Sequence, residues 1–376
     1  MTMINRSATR LAVLLLISAV WIGCDSTSEP PPPTPTPTGT LSGVVREAGT
    51  ETPVPDISVE LGSAQTMTDQ DGRFEFLEVR AGLTTSIRTG ADGFEDFSEQ
   101  IIVQVGDNSV DISLVRMFEL QFDHIPIVVS DFDKNATFYE EILQLKALES
   151  PWGPNSSVRS FSTGGHPQVH LIRDLVSPQI KRFHLAFSVQ DFDAALSLLR
   201  AEGIEYGSYS STDGSFQVRP DGVRQIYFQD PHGNWLEIND AQSSTQIFDP
   251  QFDHTAILVD DLDKSERFYR DILRLERLKS PFPPGERGHV FISIGNNGEL
   301  HVVQKEGEFI QHNKERHLAF SLQHFEAYLG FLKEKGIEYG NFIGNVSEID
   351  TRPDGVKQIY FKDPDGYWIE VNNARY

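Results

Sequence analysis

The chain has 376 residues, 39% of them hydrophobic and 10% aromatic, which is enough apolar material for two or three domains with buried cores. Its formal net charge is −23, and such an acidic chain lacks the excess of Lys and Arg with which proteins bind nucleic acid phosphates. The single cysteine, Cys24, excludes an intrachain disulfide and any site built from paired cysteines.

Residues 1–24 predict an export signal that ends in a lipid anchor. Arg6 and Arg10 precede an apolar run, 11–22, which is too short to span a bilayer comfortably and is followed by Gly23 and Cys24. This ending resembles a bacterial lipobox, whose cysteine is acylated; an ordinary signal peptide with an incidental cysteine is the alternative. Residues 25–39 are rich in Pro, Thr and Ser and predict an extended linker. We therefore expect an extracytoplasmic protein, periplasmic or at the cell surface, that is anchored to a bacterial membrane.

Residues 40–117 predict a small β-sandwich. Alternating runs such as 57–61 and 84–89 are separated by turn signals, and roughly seven short strands are expected. The stretches PVPDI (53–57) and DGRF (71–74) resemble the carboxypeptidase regulatory-like, or transthyretin-like, domain. No catalytic constellation occurs in this segment of the sequence, so a stalk or spacer is the expected role.

The rest of the chain is an internal duplication. Residues 219–240 (RPDGVRQIYFQDPHGNWLEIND) and 352–373 (RPDGVKQIYFKDPDGYWIEVNN) are identical at 15 of 22 positions. Each copy has roughly 120 residues, a size typical of a single domain. The predicted domains are 118–242 and 249–376, with a short polar connector at 242–249.

Each copy predicts two βαβββ units and hence an α+β architecture. In copy one, a first helix is expected to begin at Asp131, with apolar side chains at helical spacing. A second helix is expected over 192–202. The strands of copy one are expected at 123–129, 146–148, 158–161, 169–173, 183–189, 225–228 and 235–238.

Four potential metal ligands recur in both copies. The matched pairs are His124/His254, His170/His301, His184/His317 and Glu237/Glu370. Strand alternation places His184 with Ala186 and Ser188 on a small, polar face, opposite the apolar residues that face the core. Three histidines and a glutamate on faces of this kind favour a mixed nitrogen and oxygen metal site over a metal-free cluster of hydrogen-bonded histidines.

Both copies resemble the vicinal oxygen chelate superfamily of glyoxalases, bleomycin-resistance proteins and extradiol dioxygenases. The resemblance lies in FDHIPIVVSDFDKNATFYEEIL (122–143), FHLAFSV (183–189), IYFQDPHGNWLEI (226–238) and their partners in copy two. It implies one divalent transition metal per copy (Zn, Ni, Co, Mn or Fe). The implied ligands are His124, His170, His184 and Glu237 in copy one, and His254, His301, His317 and Glu370 in copy two. Whether a site forms within one copy or by exchange of units between copies is open at this stage.

The resemblance also implies metal-assisted chemistry on a small molecule with two adjacent oxygens. Glu237 and Glu370 are then candidates for the general base. Arg219 and Arg352 are expected to bind a substrate carboxylate, or alternatively to stabilise the Pro-Asp-Gly turns that follow them.

Three functions are consistent with the sequence. A glyoxalase-like lyase or isomerase is favoured. An Fe(II)-dependent extradiol-type dioxygenase, with His124, His184 and Glu237 as the ligands and His170 as an acid or base, is the second. A non-catalytic binding lipoprotein is the third, and the retention of every ligand position in both copies argues against it. The histidine at the second ligand position, where glyoxalases usually have glutamate, leaves the reaction open.

Overall fold

The computed structural model describes residues 36–164, 167–174, 180–241, 250–282, 288–295, 298–307 and 312–374. The predicted signal peptide, Cys24 and most of the predicted linker lie outside these ranges. Among the described residues, no helix combines the length and the apolar character needed to cross a bilayer.

The N-terminal region is an all-β sandwich, as predicted. Its strands are β1 (Thr38–Glu47), β2 (Ser58–Leu61), β3 (Ala64–Met67), β4 (Arg73–Arg80), β5 (Thr84–Thr89), β6 (Phe97–Ile102), β7 (Gly106–Ser109) and β8 (Ile112–Leu114). One sheet has the order β4-β1-β7, with β8 also paired to β1, and the other has the order β3-β2-β5-β6. The alternating side chains of these strands enclose a separate core that includes Val45, Val59, Phe74 and Ile87.

The duplicated region has the predicted α+β architecture. Copy one contains β9 (Gln121–Val129), α1 (Phe132–Thr137), β10 (Lys146–Leu148), β11 (Val158–Ser162), β12 (Gln168–Arg173), β13 (Leu185–Ser188), α2 (Phe192–Ala201), β14 (Tyr206–Gly207), β15 (Gln217–Val218), β16 (Arg224–Gln229) and β17 (Trp235–Asn239). Copy two contains β18 (Gln251–Val259), α3 (Leu262–Asp271), β19 (His289–Gly295), β20 (Gly298–Gln304), β21 (His317–Ser321), α4 (Phe325–Glu334), β22 (Asp350–Thr351), β23 (Lys357–Lys362) and β24 (Trp368–Asn372).

The two large sheets each combine one half of copy one with the opposite half of copy two. The first has the order β10-β11-β12-β9-β21-β24-β23-β22, and the second β14-β16-β17-β13-β18-β20-β19, with β15 paired to β16. The two copies meet in antiparallel pairs, β9 with β21 and β13 with β18, which place Ala319 opposite His124 and Ala186 opposite His254. The units are therefore exchanged between the copies, which answers the question that the sequence left open.

A single hydrophobic core joins the two copies. The ring of Phe122 in copy one lies 5.2 Å from that of Phe252 and 5.5 Å from that of Phe320, both in copy two. All three rings are buried, and burial of such large apolar surfaces is a main source of stability. The exchange of units is thus supported by packing as well as by strand pairing.

The first helix of each copy is fixed to the second unit of the same copy by a tyrosine. The Tyr139 hydroxyl donates to Asp230 over 3.2 Å, and the Tyr269 hydroxyl donates to Asp363 over 2.9 Å. The local helical geometry differs, because α1 continues as a π-helical turn over Phe138–Ile142, whereas α3 is α-helical throughout. These contacts hold each copy together even though its two halves lie in different sheets.

Candidate metal sites

The strand pairing between copies gathers the predicted ligands into two buried groups. We call them site I, comprising His124, His317 and Glu370, and site II, comprising His254, His184 and Glu237. In each site one ligand atom from every residue lies within 4.8 Å of the others. Each site takes one histidine from one copy, and a histidine and the glutamate from the other.

The ligand atoms have the spacing expected around a transition metal ion. In site I, His124 Nε2 lies 3.1 Å from His317 Nε2. Glu370 Oε2 lies 3.3 Å from His317 Nε2 and 3.9 Å from His124 Nε2. The corresponding distances in site II are 3.0, 3.3 and 3.8 Å. Donors separated by 3 to 4 Å fit metal–ligand bonds of about 2.1 Å, and two imidazoles with one carboxylate suit a divalent transition metal.

An aspartate orients the first histidine of each site. Asp123 Oδ2 lies 2.9 Å from His124 Nδ1, and Asp253 Oδ2 lies 2.6 Å from His254 Nδ1. A carboxylate on Nδ1 holds the ring so that Nε2 points into the site, and it makes that nitrogen a better ligand. Neither aspartate was predicted as a site residue, although an Asp-His pair lies in the first strand of each copy.

The second histidine of each site is held by a backbone carbonyl. His317 Nδ1 donates to the carbonyl oxygen of Lys314 over 2.8 Å, and His184 Nδ1 donates to that of Lys181 over 3.0 Å. The ammonium group of Lys181 lies 4.3 Å from the centre of the Trp235 ring, and that of Lys314 makes the equivalent contact in site I. These cation–π contacts stabilise the segment that carries the carbonyl.

The glutamates are hydrogen-bonded, and their pKa values are lowered. Glu370 accepts a hydrogen bond from the Tyr360 hydroxyl over 2.5 Å and another from Asn372 Nδ2 over 2.9 Å. Although burial opposes ionisation, the neighbouring His124 and His317 lower the pKa of Glu370 to about 2. Burial also opposes ionisation of Glu237, and the neighbouring His254 and His184 lower its pKa to about 2. A carboxylate with so low a pKa suits a metal ligand better than a base at neutral pH.

The remaining predicted ligands, His170 and His301, lie beside the His-His-Glu groups of sites I and II and are not members of them. The His170 ring is stacked on that of His124, with centroids 3.9 Å apart and planes inclined by 19°. His301 lies on His254 in the same way, at 3.8 Å and 20°. Burial lowers the pKa of both His170 and His301 well below the ordinary value, which keeps these imidazoles neutral.

The partner of this stacked histidine differs between the sites. His170 Nε2 lies 3.0 Å from Gln168 Oε1, whereas His301 Nε2 lies 3.0 Å from Glu299 Oε2. Burial raises the pKa of Glu299, and the nearby Asp253 adds to this effect. Site II therefore contains a carboxyl–imidazole pair where site I has an amide–imidazole pair.

The two predicted substrate arginines are bound to the turns that follow them. Arg219 contacts Asp221 through both Nε and Nη2, at 3.2 and 2.6 Å. Arg352 contacts Asp354 in the same way, at 3.2 and 2.5 Å. The turn contact is present in both copies, and Arg219 also lines a cavity at site II, so carboxylate binding stays a prediction.

A cavity of about 260 Å³ opens onto site II. Its wall includes the three ligands of the site and His301, together with Tyr227. It also includes Arg182 and His289, which were not predicted as site residues. His289 has no histidine counterpart in copy one, so a search for matched pairs passes over it.

Comparison with protein families gives matches over most of the chain. Residues 121–238 and 251–371 match the Glyoxalase/Bleomycin resistance protein/Dioxygenase superfamily. Residues 40–115 match the carboxypeptidase regulatory-like domain. Both matches agree with the resemblances identified in the sequence.

Individual relatives differ in the reaction that their names describe. The chain is 21% identical over 313 residues to a lactoylglutathione lyase of Schizosaccharomyces pombe, covering 69% of this chain and 98% of that protein. It is 32% identical over 128 residues to the metallothiol transferase FosB of Staphylococcus epidermidis, covering 32% of this chain and 80% of that protein. The solved structure of glyoxalase I from Zea mays is similar in fold, with a TM-score of 0.51, 17% identity, and coverage of 68% of this chain and 93% of that one.

Proposed function

The chain belongs to the Glyoxalase/Bleomycin resistance protein/Dioxygenase superfamily, and from this premise we propose that it is a metal-dependent lyase or isomerase of a small molecule with two adjacent oxygens. The observation that carries the proposal is the pair of buried His-His-Glu groups, each complete and each supported by the same orienting contacts. A binding protein without metal would have no use for two such groups.

Within this proposal the ligands are His124, His317 and Glu370 in site I, with their counterparts in site II. A bound divalent ion would supply Lewis acidity toward the two substrate oxygens. Asp123 holds the His124 ring, and the Tyr360 hydroxyl and Asn372 hold the Glu370 carboxylate, so the donor atoms are preorganised.

Lyase and isomerase reactions also need a residue that accepts a proton. We assign this role in site II to the imidazole of His301, because this ring lines the cavity and its Nε2 is held by Glu299, which leaves Nδ1 to accept the proton. The assignment differs from the sequence prediction of Glu237, whose carboxylate is held at a low pKa beside two histidines.

A dioxygenase is the second candidate. Two histidines and one carboxylate, with a fourth residue outside the group, are the ligand pattern of Fe(II) oxygenases. On that alternative, as in the lyase or isomerase, the stacked histidines would take part in proton transfer and would not bind the metal.

Metal analysis of the protein, purified without chelator and then supplemented with metal, tests the proposal. About two ions per chain are expected, and a value near zero would contradict it. Oxygen uptake by the iron-loaded protein on catechols separates the two reactions: uptake would favour the dioxygenase, and its absence the lyase or isomerase. The double variant His170→Ala with His301→Ala should retain its metal and lose turnover in either case.

We further propose that Cys24 anchors the protein to a membrane. An acyl chain contributes about 0.8 kcal/mol per buried CH₂ group, so a multiply acylated cysteine binds firmly. Cys24→Ser should therefore move the protein from the membrane fraction to the soluble fraction. Unchanged membrane association of this variant would contradict the proposal. The carboxypeptidase regulatory-like region would act as a spacer between the anchor and the metal sites.

A further inference from the structure

The walls of the two sites differ at matched positions, although their ligands repeat. In site II, Phe291 of β19 is the cross-strand partner of His301. At the matched position of site I, Ser160 of β11 is the cross-strand partner of His170. The site II wall also contains Phe282 and His289. The residues at the corresponding repeat positions of site I are Trp152 and Val158.

Three rings in site II form one aromatic wall. Phe282 lies 5.6 Å from His289 and 6.0 Å from Phe291, with planes inclined by 26° and 34°. Tyr209 and Tyr227, whose centroids are 5.5 Å apart, also line the cavity. A cavity of about 260 Å³ lies at the small end of ligand pockets, and aromatic linings of this kind bind flat rings well. The shape and the lining therefore suit a ligand with a single aromatic ring.

The charge of the wall also differs between the sites. Arg182 precedes His184 by two residues in site II, and Glu315 occupies the matched position before His317 in site I. Gln217 of the site II wall is replaced by Asp350 in site I. Both exchanges make site II more attractive to an anion than site I.

Two features oppose the binding of an anion at site II. Glu299 adds a negative charge to site II, but it is directed toward His301 and is absent from the cavity wall. Arg182 contacts Glu306 over 3.3 Å and the carbonyl oxygen of Gln304 over 3.0 Å. The Glu306 side chain is 80% exposed, and so exposed an ion pair is weak enough for a carboxylate in the cavity to compete with it.

We propose that site II binds an aromatic carboxylate that carries two adjacent oxygens, and that site I discriminates against this ligand. The inference rests on the proposed function, in which both sites hold a divalent ion. The two oxygens would face the ligands of site II, the ring would lie along Phe282 and Phe291, and the carboxylate would face Arg182. The duplication has thus produced two metal sites of different specificity in one chain.

Calorimetric titration of the Zn(II)-loaded protein with 2,3-dihydroxybenzoate tests this inference without turnover. We expect one tight binding event per chain, although two zinc ions are present. Catechol, which lacks the carboxylate, should bind at least about tenfold more weakly, because a hydrogen bond to a charged group is lost. Zinc content measured before and after the titration shows whether the ligand has removed the metal.

Substitutions that give one site the residues of the other show which site binds 2,3-dihydroxybenzoate tightly. Arg182→Glu and Phe291→Ser give site II the residues of site I, and we expect affinity losses of about tenfold and about fivefold. The control Glu315→Gln alters site I at the position matched to Arg182 and should leave the tight event unchanged. Should Arg182→Glu fail to fold, Arg182→Gln provides the same test with a smaller expected loss.

The possible results separate the two proposals. Two equal binding events per chain, or one event that is insensitive to Arg182 and Phe291, would overturn the inference. No binding by a protein that contains two zinc ions would also overturn it and leave the proposed function standing. Failure to bind zinc at all would contradict the proposed function itself.

Discussion

Sites I and II have candidate metal ligands of the same types and differ in the residues around those ligands. The donor distances of the two triads agree within 0.1 Å, and each first histidine has an aspartate on Nδ1. By contrast, the wall of site II has Arg182 and Phe291 where site I has Glu315 and Ser160. In the function proposed here, metal binding and ligand selection depend on separate sets of residues, which substitutions can test independently.

Among substitutions outside the metal ligands, the largest effects are expected from the aspartates that orient the first histidines. Replacing either Asp123 or Asp253 by Asn should weaken metal binding at its own site by about 10–100-fold, as is typical for partners of ligating histidines. The Asp123 side chain is 1% exposed and that of Asp253 is 16% exposed, so Asp123→Asn should have the greater effect.

Competition with a chelator of known affinity measures both values. A loss of affinity at both sites from either single variant would show that the sites are not independent, contrary to the comparison.

An intermediate effect is expected from the tyrosines that donate to the glutamates. Tyr360→Phe removes the hydrogen bond to Glu370 and leaves Gln358, which donates to the Tyr360 hydroxyl over 2.7 Å, without that partner. The metal affinity of site I should fall by about tenfold. Tyr227→Phe is the matched variant in site II, and equal losses would confirm that the triads are equivalent. An unchanged affinity in both variants would show that these hydroxyls do not support the carboxylates.

The smallest effect is expected from the partner of the stacked histidine. Glu299→Gln gives site II the amide of site I, and Gln168→Glu gives site I the carboxylate of site II. Loss of a negative charge near a bound cation should weaken metal binding at site II by about threefold, and its gain should strengthen binding at site I by a similar factor. Turnover should change more than affinity in Glu299→Gln, if the His301–Glu299 pair moves a proton. Equal turnover in this variant and the unaltered protein would contradict that role.

The sequence alone was sufficient to predict the α+β order of each half and the faces that carry the ligands, although in the first half of copy two the strand matched to β10 is reduced to the bridge between Arg277 and Ile292. Side chains alternate along a strand, so His184, Ala186 and Ser188 had to share one face. The sequence was not sufficient to predict which halves of the two copies would pair in one sheet. Pairing of β9 with β21 joins residues almost 200 positions apart, and the same alternation would hold if each copy closed on itself.

The matched-pair criterion also limited what the sequence could reveal about the sites. It selects residues that both copies share, and it therefore found all six residues of the triads. Arg182 and His289 differ from their counterparts, so the criterion could not find them, and these are the residues that distinguish site II. Asp123 and Asp253 met the criterion, but nothing in the sequence separates an orienting carboxylate from the acidic residues of an acidic chain.

Metal content of two double variants tests most directly the claim that each site is assembled from both copies. His124→Ala with Glu370→Ala removes two ligands of site I and leaves site II intact, so about one ion per chain should remain. His124→Ala with Glu237→Ala removes one ligand from each site, although both residues belong to copy one, and almost no metal should remain. The reverse result, with metal retained in the second variant and lost in the first, would show that each copy forms its own site and would contradict the exchange of units.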